Sequence, residues 1–423
     1  VTLTLALLPA GLLLLGAPIV LVFLTAAAAA IALVLPVPGI VVQQTLFGTL
    51  STYALLAVPF FLFAGELMRR GGIADRLVEF VQAAVGRVPG SGGLTVLGSG
   101  TILGAISGSS PATVAVIGKA LYPSLVRTQW KPRAAAGLIA SSASIAIVIP
   151  PSIAMILYGA AAQASIAKLF VAGVLPGLFI AALMAVVVVA MAVFRGWGEV
   201  ATFSWPRLGR AFVAAIGPLG MPVFVLGGVG FGWFSPTEAG GFACVYALVL
   251  GLLIDRSLNW QTVLDAAAEA AILSAQVLVI VAAAGLYAYL LTTLQVPQAI
   301  TGWVGGLALP AWGLLLSINA LLLGIGCLLD PTSAILVLTP LLVPLVTALG
   351  VDPIHFGIIM TVNLSIGMFT PPFGLNVFVA QSVLDLPLKE IFAGVLPFAL
   401  IQIAALAVIT YWPPLSLALP SMM

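Results

Sequence analysis

Charged side chains are what this sequence has least of: only 6% of its 423 residues are Asp, Glu, Lys or Arg, against about 25% in soluble domains. That scarcity excludes a soluble domain of ordinary size. A formal net charge of +2 is too small to mark a nucleic-acid or acidic partner. Histidine occurs once, as His355, and cysteine twice, as Cys244 and Cys327. Both cysteines sit in apolar runs without metal-ligand spacing, so they read as small core residues and redox chemistry is not suggested.

What fills the chain instead is hydrocarbon: 62% of residues are hydrophobic and the mean hydropathy is +1.28. Apolar runs of roughly 20 residues recur from end to end, whereas a signal peptide would give one short run. The chain reads as an all-α polytopic membrane protein embedded in a lipid bilayer.

Leu3–Leu15 is a short first span and Pro18–Leu35 a second. Thr49–Met68 is a third, stopping at Arg69-Arg70-Gly71-Gly72, whose arginines belong in the cytoplasm. Residues 71–91 alternate Asp75, Arg76, Glu79 and Arg87 with Ile73, Leu77 and Val81, a spacing that predicts a helix lying in the interface. Residues 92–125 are apolar but hold Gly104-Ala-Ile-Ser-Gly-Ser-Ser-Pro-Ala-Thr113, and both flanks are basic. A segment between two cytoplasmic flanks must enter and return, either as a re-entrant hairpin with Ser107–Pro111 at its tip or as two tight full spans. Two crossings of about 20 residues plus a turn do not fit the available length, which favours the hairpin.

Residues 134–162 form a span that Pro150-Pro151 should break by removing two helix donors. Lys168 lies in the next short loop, residues 170–194 cross back, and Arg195, Arg207 and Arg210 mark the cytoplasm. Ala211–Trp233, Pro236–Ile254 and Ala270–Thr293 are further spans. An uncharged interfacial segment, 296–309, precedes a second hairpin, 311–346, with Asp330-Pro331-Thr332-Ser333 near its middle. Residues 354–382 form a span broken by Pro371-Pro372, and 391–412 the last one, giving ten spans and two hairpins. Glu66 and Glu238 fall at span ends, within reach of water, and His355 beside an external loop.

The two halves are copies. An offset of 221 residues relates Pro150-Pro151 to Pro371-Pro372, Lys168 to Lys389, and Ala172-Gly-Val-Leu-Pro176 to Ala393-Gly-Val-Leu-Pro397. Each half holds an odd number of crossings, so the second copy is inverted. Inverted repeats with paired broken helices point to a secondary transporter whose site lies near the midplane.

Five segments, Pro59–Met68, Gly104–Thr113, Ile149-Pro150-Pro151-Ser152, Gly173–Gly177 and Thr370–Gly374, together resemble the large membrane subunit of TRAP (tripartite ATP-independent periplasmic) transporters. The resemblance covers essentially the whole chain. It implies an elevator mechanism with sodium-coupled uptake of an organic acid, such as a C4-dicarboxylate or sialic acid, across a bacterial or archaeal inner membrane. It also implies a small four-helix membrane subunit and a periplasmic substrate-binding protein as partners. No such small-subunit segment precedes Val1, so a separate chain is expected. Residues 1–70 and 211–293 would be scaffold, 71–91 and 296–309 arms, and 92–194 with 311–412 the moving transport domain. The absence of a Gly-x-x-x-x-Gly-Lys-[Ser/Thr] loop fits an ion gradient as the energy source.

Helix ends exposed by hairpin tips and breaks offer N–H groups to a carboxylate and carbonyls to Na⁺. Ser109, Ser110, Ser152, Asp330, Thr332 and Asn376 are therefore candidate substrate ligands. Ser107, Gly108, Thr113, Pro150, Ser333, Asn363, Thr370 and Pro371 are candidates for Na⁺, mostly through backbone carbonyls, because a hard cation takes oxygen. For each hydroxyl the alternative is a bond to its own helix backbone. For Asp330 the alternative is an N-cap. A stand-alone divalent-anion/sodium symporter would share the hairpins and the inverted repeat. An intramembrane hydrolase would need a base beside Ser109 or Ser110, which a single histidine far away in sequence does not promise.

Overall fold

The computed structural model describes residues 7–9, 11–13, 15–35, 37–198, 203–306 and 310–423. Parts of the first apolar run and the end of the second interfacial segment lie outside these. Among the described residues the secondary structure is entirely helical. The first copy comprises α1 (Ile19–Leu33), α2 (Gly39–Leu50), α3 (Ala57–Arg70), α4 (Ile73–Val85), α5 (Ser91–Ser107), α6 (Ser110–Arg127), α7 (Pro132–Val148), α8 (Ile153–Ala162) and α9 (Ile166–Arg195). The second comprises α10 (Trp205–Gly230), α11 (Pro236–Leu248, prolonged by a π turn), α12 (Trp260–Thr293), α13 (Val296–Gly306), α14 (Ala311–Gly326), α15 (Pro331–Ala348), α16 (Pro353–Gly367), α17 (Leu375–Leu384) and α18 (Leu388–Tyr411).

Among the described residues six helices are long and apolar enough to cross a membrane, or up to eight if each of two bent pairs counts as one span. Ten spans were expected, and the shortfall has a physical source: breaks divide several crossings into pieces too short to span alone. Pro150-Pro151 separates α7 from α8 with a bend of 42°. Residues 368–374 separate α16 from α17, and both diproline bonds are cis. The expected span Thr49–Met68 starts at the end of α2 and runs through a 3₁₀ turn, Tyr53–Leu56, into α3, with a bend of 53° after α2. Thr45, Thr49, Ser51 and Thr52 each bond back to a carbonyl three or four residues earlier, the kind of bond that bends helices. The corresponding stretch of the second copy, α12, runs unbroken for 34 residues.

Both hairpins are present. Helices α5 and α6 join through Gly108-Ser109, and α14 and α15 through residues 327–330. Arms of 16 to 18 residues reach roughly 24–27 Å at 1.5 Å per residue, short of a bilayer core of about 30 Å. Helix α7 packs on α5, α6 and α18, and α16 packs on α14, α15 and α18. These contacts are close because small residues allow it: a Cβ on Gly367 would fall on the backbone of Gly326, and one on Gly394 on that of Arg133.

Around this body, α12 packs on α1, α2 and α3, and α11 on α3. Helix α4 joins the two regions, lying on α5 and on α10. Its outward carboxylate Glu79 receives Arg207 Nε at 2.7 Å and Nη2 at 3.0 Å, and Arg76 pairs with Asp255 at 2.6 Å. The Arg207 guanidinium holds the Glu79 carboxyl below the usual carboxylate range. Trp205, Trp260, Trp303 and Trp312 are exposed, as tryptophans of a membrane interface are.

Candidate functional site

Tip one is built by its own sequence. Gly108 takes φ +60°, a conformation that glycine enters without a Cβ penalty. A Cβ there would also stand 3.3 Å from the Pro151 carbonyl oxygen, so glycine lets the tip touch the first break. Ser109 then caps α6, its Oγ accepting from the Ala112 N–H at 3.4 Å. Tip two repeats the plan: Asp330 caps α15, Oδ2 accepting from the Ser333 N–H at 3.1 Å and Oδ1 from the Ser333 hydroxyl at 2.5 Å. The Phe373 N–H donates to the Cys327 carbonyl at 3.2 Å and fastens this tip to the second break. The capping alternative for Asp330 is thus realised, but the residue is also exposed on a cavity.

That cavity, ≈ 660 Å³, is lined by both tips: Ser107, Gly108, Ser109 and Ser110 from one, Asp330 and Thr332 from the other. Thr113 borders a small adjoining hollow with Ser107, and its hydroxyl donates to the Ser109 carbonyl at 2.8 Å. The remaining candidates are not part of this lining. Asn376 is fully buried: its Nδ2 donates to Ser110 Oγ at 2.7 Å and to the Ala140 carbonyl at 2.9 Å, and its Oδ1 accepts from the Ser110 hydroxyl at 3.0 Å. It is a pin between the halves and does not line the cavity. Ser333 is buried under its cap, and Thr370 bonds its own helix at the Ile366 carbonyl. Pro150 is buried, whereas Pro371 is exposed.

Two buried oxygens among the candidates have no hydrogen-bond partner, Ser152 Oγ and Asn363 Oδ1. Buried polar atoms are rarely left so, and each has the chemistry of a hard-cation ligand. No group of three or more His, Cys, Asp or Glu side chains that could hold a metal occurs among the described residues.

Three further expectations are corrected. Glu66 is 8% exposed, not open to water, because Arg69 and Arg70 both bind its carboxylate. His355 is buried in the first turn of α16, its Nδ1 2.6 Å from Ser416 Oγ and its Nε2 3.2 Å from the Thr410 carbonyl. It is therefore committed elsewhere, and the Ser110 hydroxyl is committed to Asn376, so His355 does not serve as a base for Ser110. Lys168 sits in the first turn of α9, not in a loop.

The sequence reading missed the lining from the surrounding helices: Arg69 on α3, and Glu269 and Gln276 on α12. The available signal was Gln276, an amide in the middle of a long apolar helix. One end of α12, through Ile280, lines this cavity; the other, from Val281 to Ala288, lines a second of ≈ 420 Å³ with Thr45, Thr49, Thr52 and Gln163.

Comparison with known proteins matches residues 6–415 to the family model "Tripartite ATP-independent periplasmic transporter, DctM component". The C4-dicarboxylate TRAP transporter large permease protein DctM of Pseudomonas aeruginosa is 39% identical over 379 residues, covering 89% of this chain and 88% of that one. The ectoine TRAP transporter large permease protein TeaC of Halomonas elongata is 35% identical, covering 97% and 96%. The isethionate TRAP transporter permease protein DctMQ of Oleidesulfovibrio alaskensis is 38% identical, covering 94% of this chain and 63% of its own length. Among solved structures, the YdaH transporter of Alcanivorax borkumensis superposes with a TM-score of 0.65 at 19% identity, covering 96% of this chain and 98% of that one, which is a likeness of fold. Inverted repeat, paired hairpins and full-length family match converge: the chain belongs to the large-permease family of TRAP transporters, multi-pass proteins of the inner membrane that transport and do not catalyse.

Proposed function

We propose that this chain carries out sodium-coupled uptake of a carboxylate-bearing organic solute by an elevator movement. A periplasmic binding protein would deliver the solute, and a small membrane subunit would complete the complex. The observation that carries this reading is that both hairpin tips, Gly108–Ser110 and Asp330–Thr332, line one cavity. There the N-termini of α6 and α15 provide the positive dipole ends that suit a carboxylate. The substrate class is drawn from relatives named for C4-dicarboxylates and 2,3-diketo-L-gulonate.

Sodium would be held by oxygens near the breaks, with Ser152 Oγ and Asn363 Oδ1 free to ligate and Ser107, Gly108, Thr113, Pro150, Ser333, Thr370 and Pro371 as the remaining candidates. In the elevator reading, the hairpin regions 92–194 and 311–412 travel past scaffold helices from 1–70 and 211–293, with 71–91 and 296–309 as arms. On this reading the two cavities along α12 would serve as the inner and outer positions of the moving tips.

The test is uptake of ¹⁴C-succinate into proteoliposomes holding the chain, its small subunit and its binding protein. Accumulation should require an inward sodium gradient and the binding protein. Equal uptake from potassium medium would remove the sodium coupling, and uptake without a binding protein would place the chain with stand-alone symporters.

A further inference from the structure

The cavity's charges are unevenly assigned. Glu66, Glu269 and Asp330 line it with a single cation, Arg69. Its sequence neighbour Arg70 is not in the lining and bridges two helices: Nε donates to Glu66 Oε1 at 2.6 Å and Nη2 to Glu269 Oε2 at 2.8 Å, which ties α3 to α12. Arg69 makes only a longer ion pair with the same carboxylate, its Nη2 standing 3.6 Å from Glu269 Oε2, beyond hydrogen-bond distance. Glu66 grips it from one side, Nε to Oε2 at 2.8 Å and Nη2 to Oε1 at 2.5 Å. Its Nη1 makes no hydrogen bond, and its side chain is 40% exposed. Arg69 also borders the hollow beneath tip one with Ser107 and Thr113. A guanidinium held in place by a buried carboxylate, with one amino group free, thus stands beside the tip at the arginine-rich end of α3, the end that the basic residues place in the cytoplasm.

We infer that Arg69 is a release station: the substrate's carboxylate passes from the hairpin tips to the free N–H groups of Arg69 before entering the cytoplasm. This rests on the proposed transport of a carboxylate-bearing solute. The cluster's charges explain why it is a station and not a trap. Glu66, Glu269, Arg69 and Arg70 sum to zero, so an arriving anion gains a charge-assisted hydrogen bond without a net positive field to detain it.

The inner and outer faces can be assayed separately. In proteoliposomes of the complete complex, wild type is screened with labelled succinate, ectoine and 2,3-diketogulonate, each of which carries a carboxylate. With the solute it takes up best, two values are measured: the external concentration for half-maximal uptake, and the internal concentration that half-inhibits uptake. Arg69→Gln should raise the internal value about tenfold, the loss of about 1.4 kcal/mol, and leave the external value within about twofold. Arg69→Lys should recover part of the internal value because it keeps the charge. Arg70→Gln should lower the thermal stability of the complex while shifting the internal value less than Arg69→Gln does.

An internal value in Arg69→Gln within about twofold of wild type, with wild type transporting, would overturn the station and leave the transport reading intact. Equal shifts on both faces, accompanied by a loss of stability matching that of Arg70→Gln, would make Arg69 a scaffold clamp and also overturn it. Wild type taking up none of the three solutes would overturn the transport reading, and the station with it.

Discussion

Asn376 offers the sharpest test of whether the two halves form one site, because it is the side chain that crosses between them. Replacing it with Ala removes hydrogen bonds to Ser110 and to the Ala140 carbonyl and strands the buried Ser110 hydroxyl, which has no other partner. At about 1 kcal/mol net per bond, plus the cost of a stranded hydroxyl, Asn376→Ala should destabilise by about 2–3 kcal/mol. Ser110→Ala leaves Asn376 its bond to Ala140, so it should cost about 1 kcal/mol. The double variant should cost no more than Asn376→Ala alone, a coupling of about 1 kcal/mol, within the range of membrane-embedded hydrogen bonds. SDS-driven unfolding in mixed micelles measures all four corners of the cycle. If the two costs add to within about 0.3 kcal/mol, as independent sites do, the bond between hairpin one and the second broken helix does not exist and the shared-site argument fails.

Three further outcomes are expected. Asp330→Asn keeps the cap and loses the charge, whereas Asp330→Ala loses both and about 1 kcal/mol of stability; abolished uptake in both marks a working carboxylate, and wild-type uptake kinetics in Asp330→Asn reduces it to a cap. Gly367→Ala should cost about 1–3 kcal/mol by overpacking against Gly326, and an unchanged melting temperature in detergent would refute that close approach. Glu79 has its folded pKa lowered by Arg207, so the link from α4 to α10 is present above the ordinary carboxylate range and is lost as pH falls through the folded value. Amide exchange in α4, corrected for intrinsic rates, should therefore quicken on acidification in wild type but not in Glu79→Gln; identical pH profiles would show that the pair does not hold the arm.

The parts of this fold legible in the sequence are those set by local chemistry. Gly108 before a Ser-Ser-Pro run, and proline pairs where a helix must stop, act through φ and missing donors, so hairpins and breaks could be placed without a partner in view. In the two copies Ser109 and Asp330, 221 residues apart, hold the same post as N-caps of α6 and α15. What was hidden depends on packing. Glu66 looked solvent-accessible because it lies near a helix end, but Arg69 and Arg70 fold back over it. Asn376 read as a ligand because it is polar and near a break, yet its amide is spent on Ser110 and Ala140. The bend between α2 and α3 was hidden for another reason: hydroxyls bonding to their own helix leave no mark in a hydropathy pattern.

The two proline pairs, equivalent by descent, occupy unlike surroundings: Pro150-Pro151 is enclosed and Pro371-Pro372 open. An inverted duplicate that alternates would trade these surroundings when it reaches its opposite face, so matched substitutions at twin positions act as opposing weights on one balance. A larger apolar side chain at Ser152 and at Phe373, its counterpart at the 221-residue offset, would push the resting population in contrary directions, and combining them would tend to cancel. The duplication thus supplies the protein with an internal control for every change made at its centre.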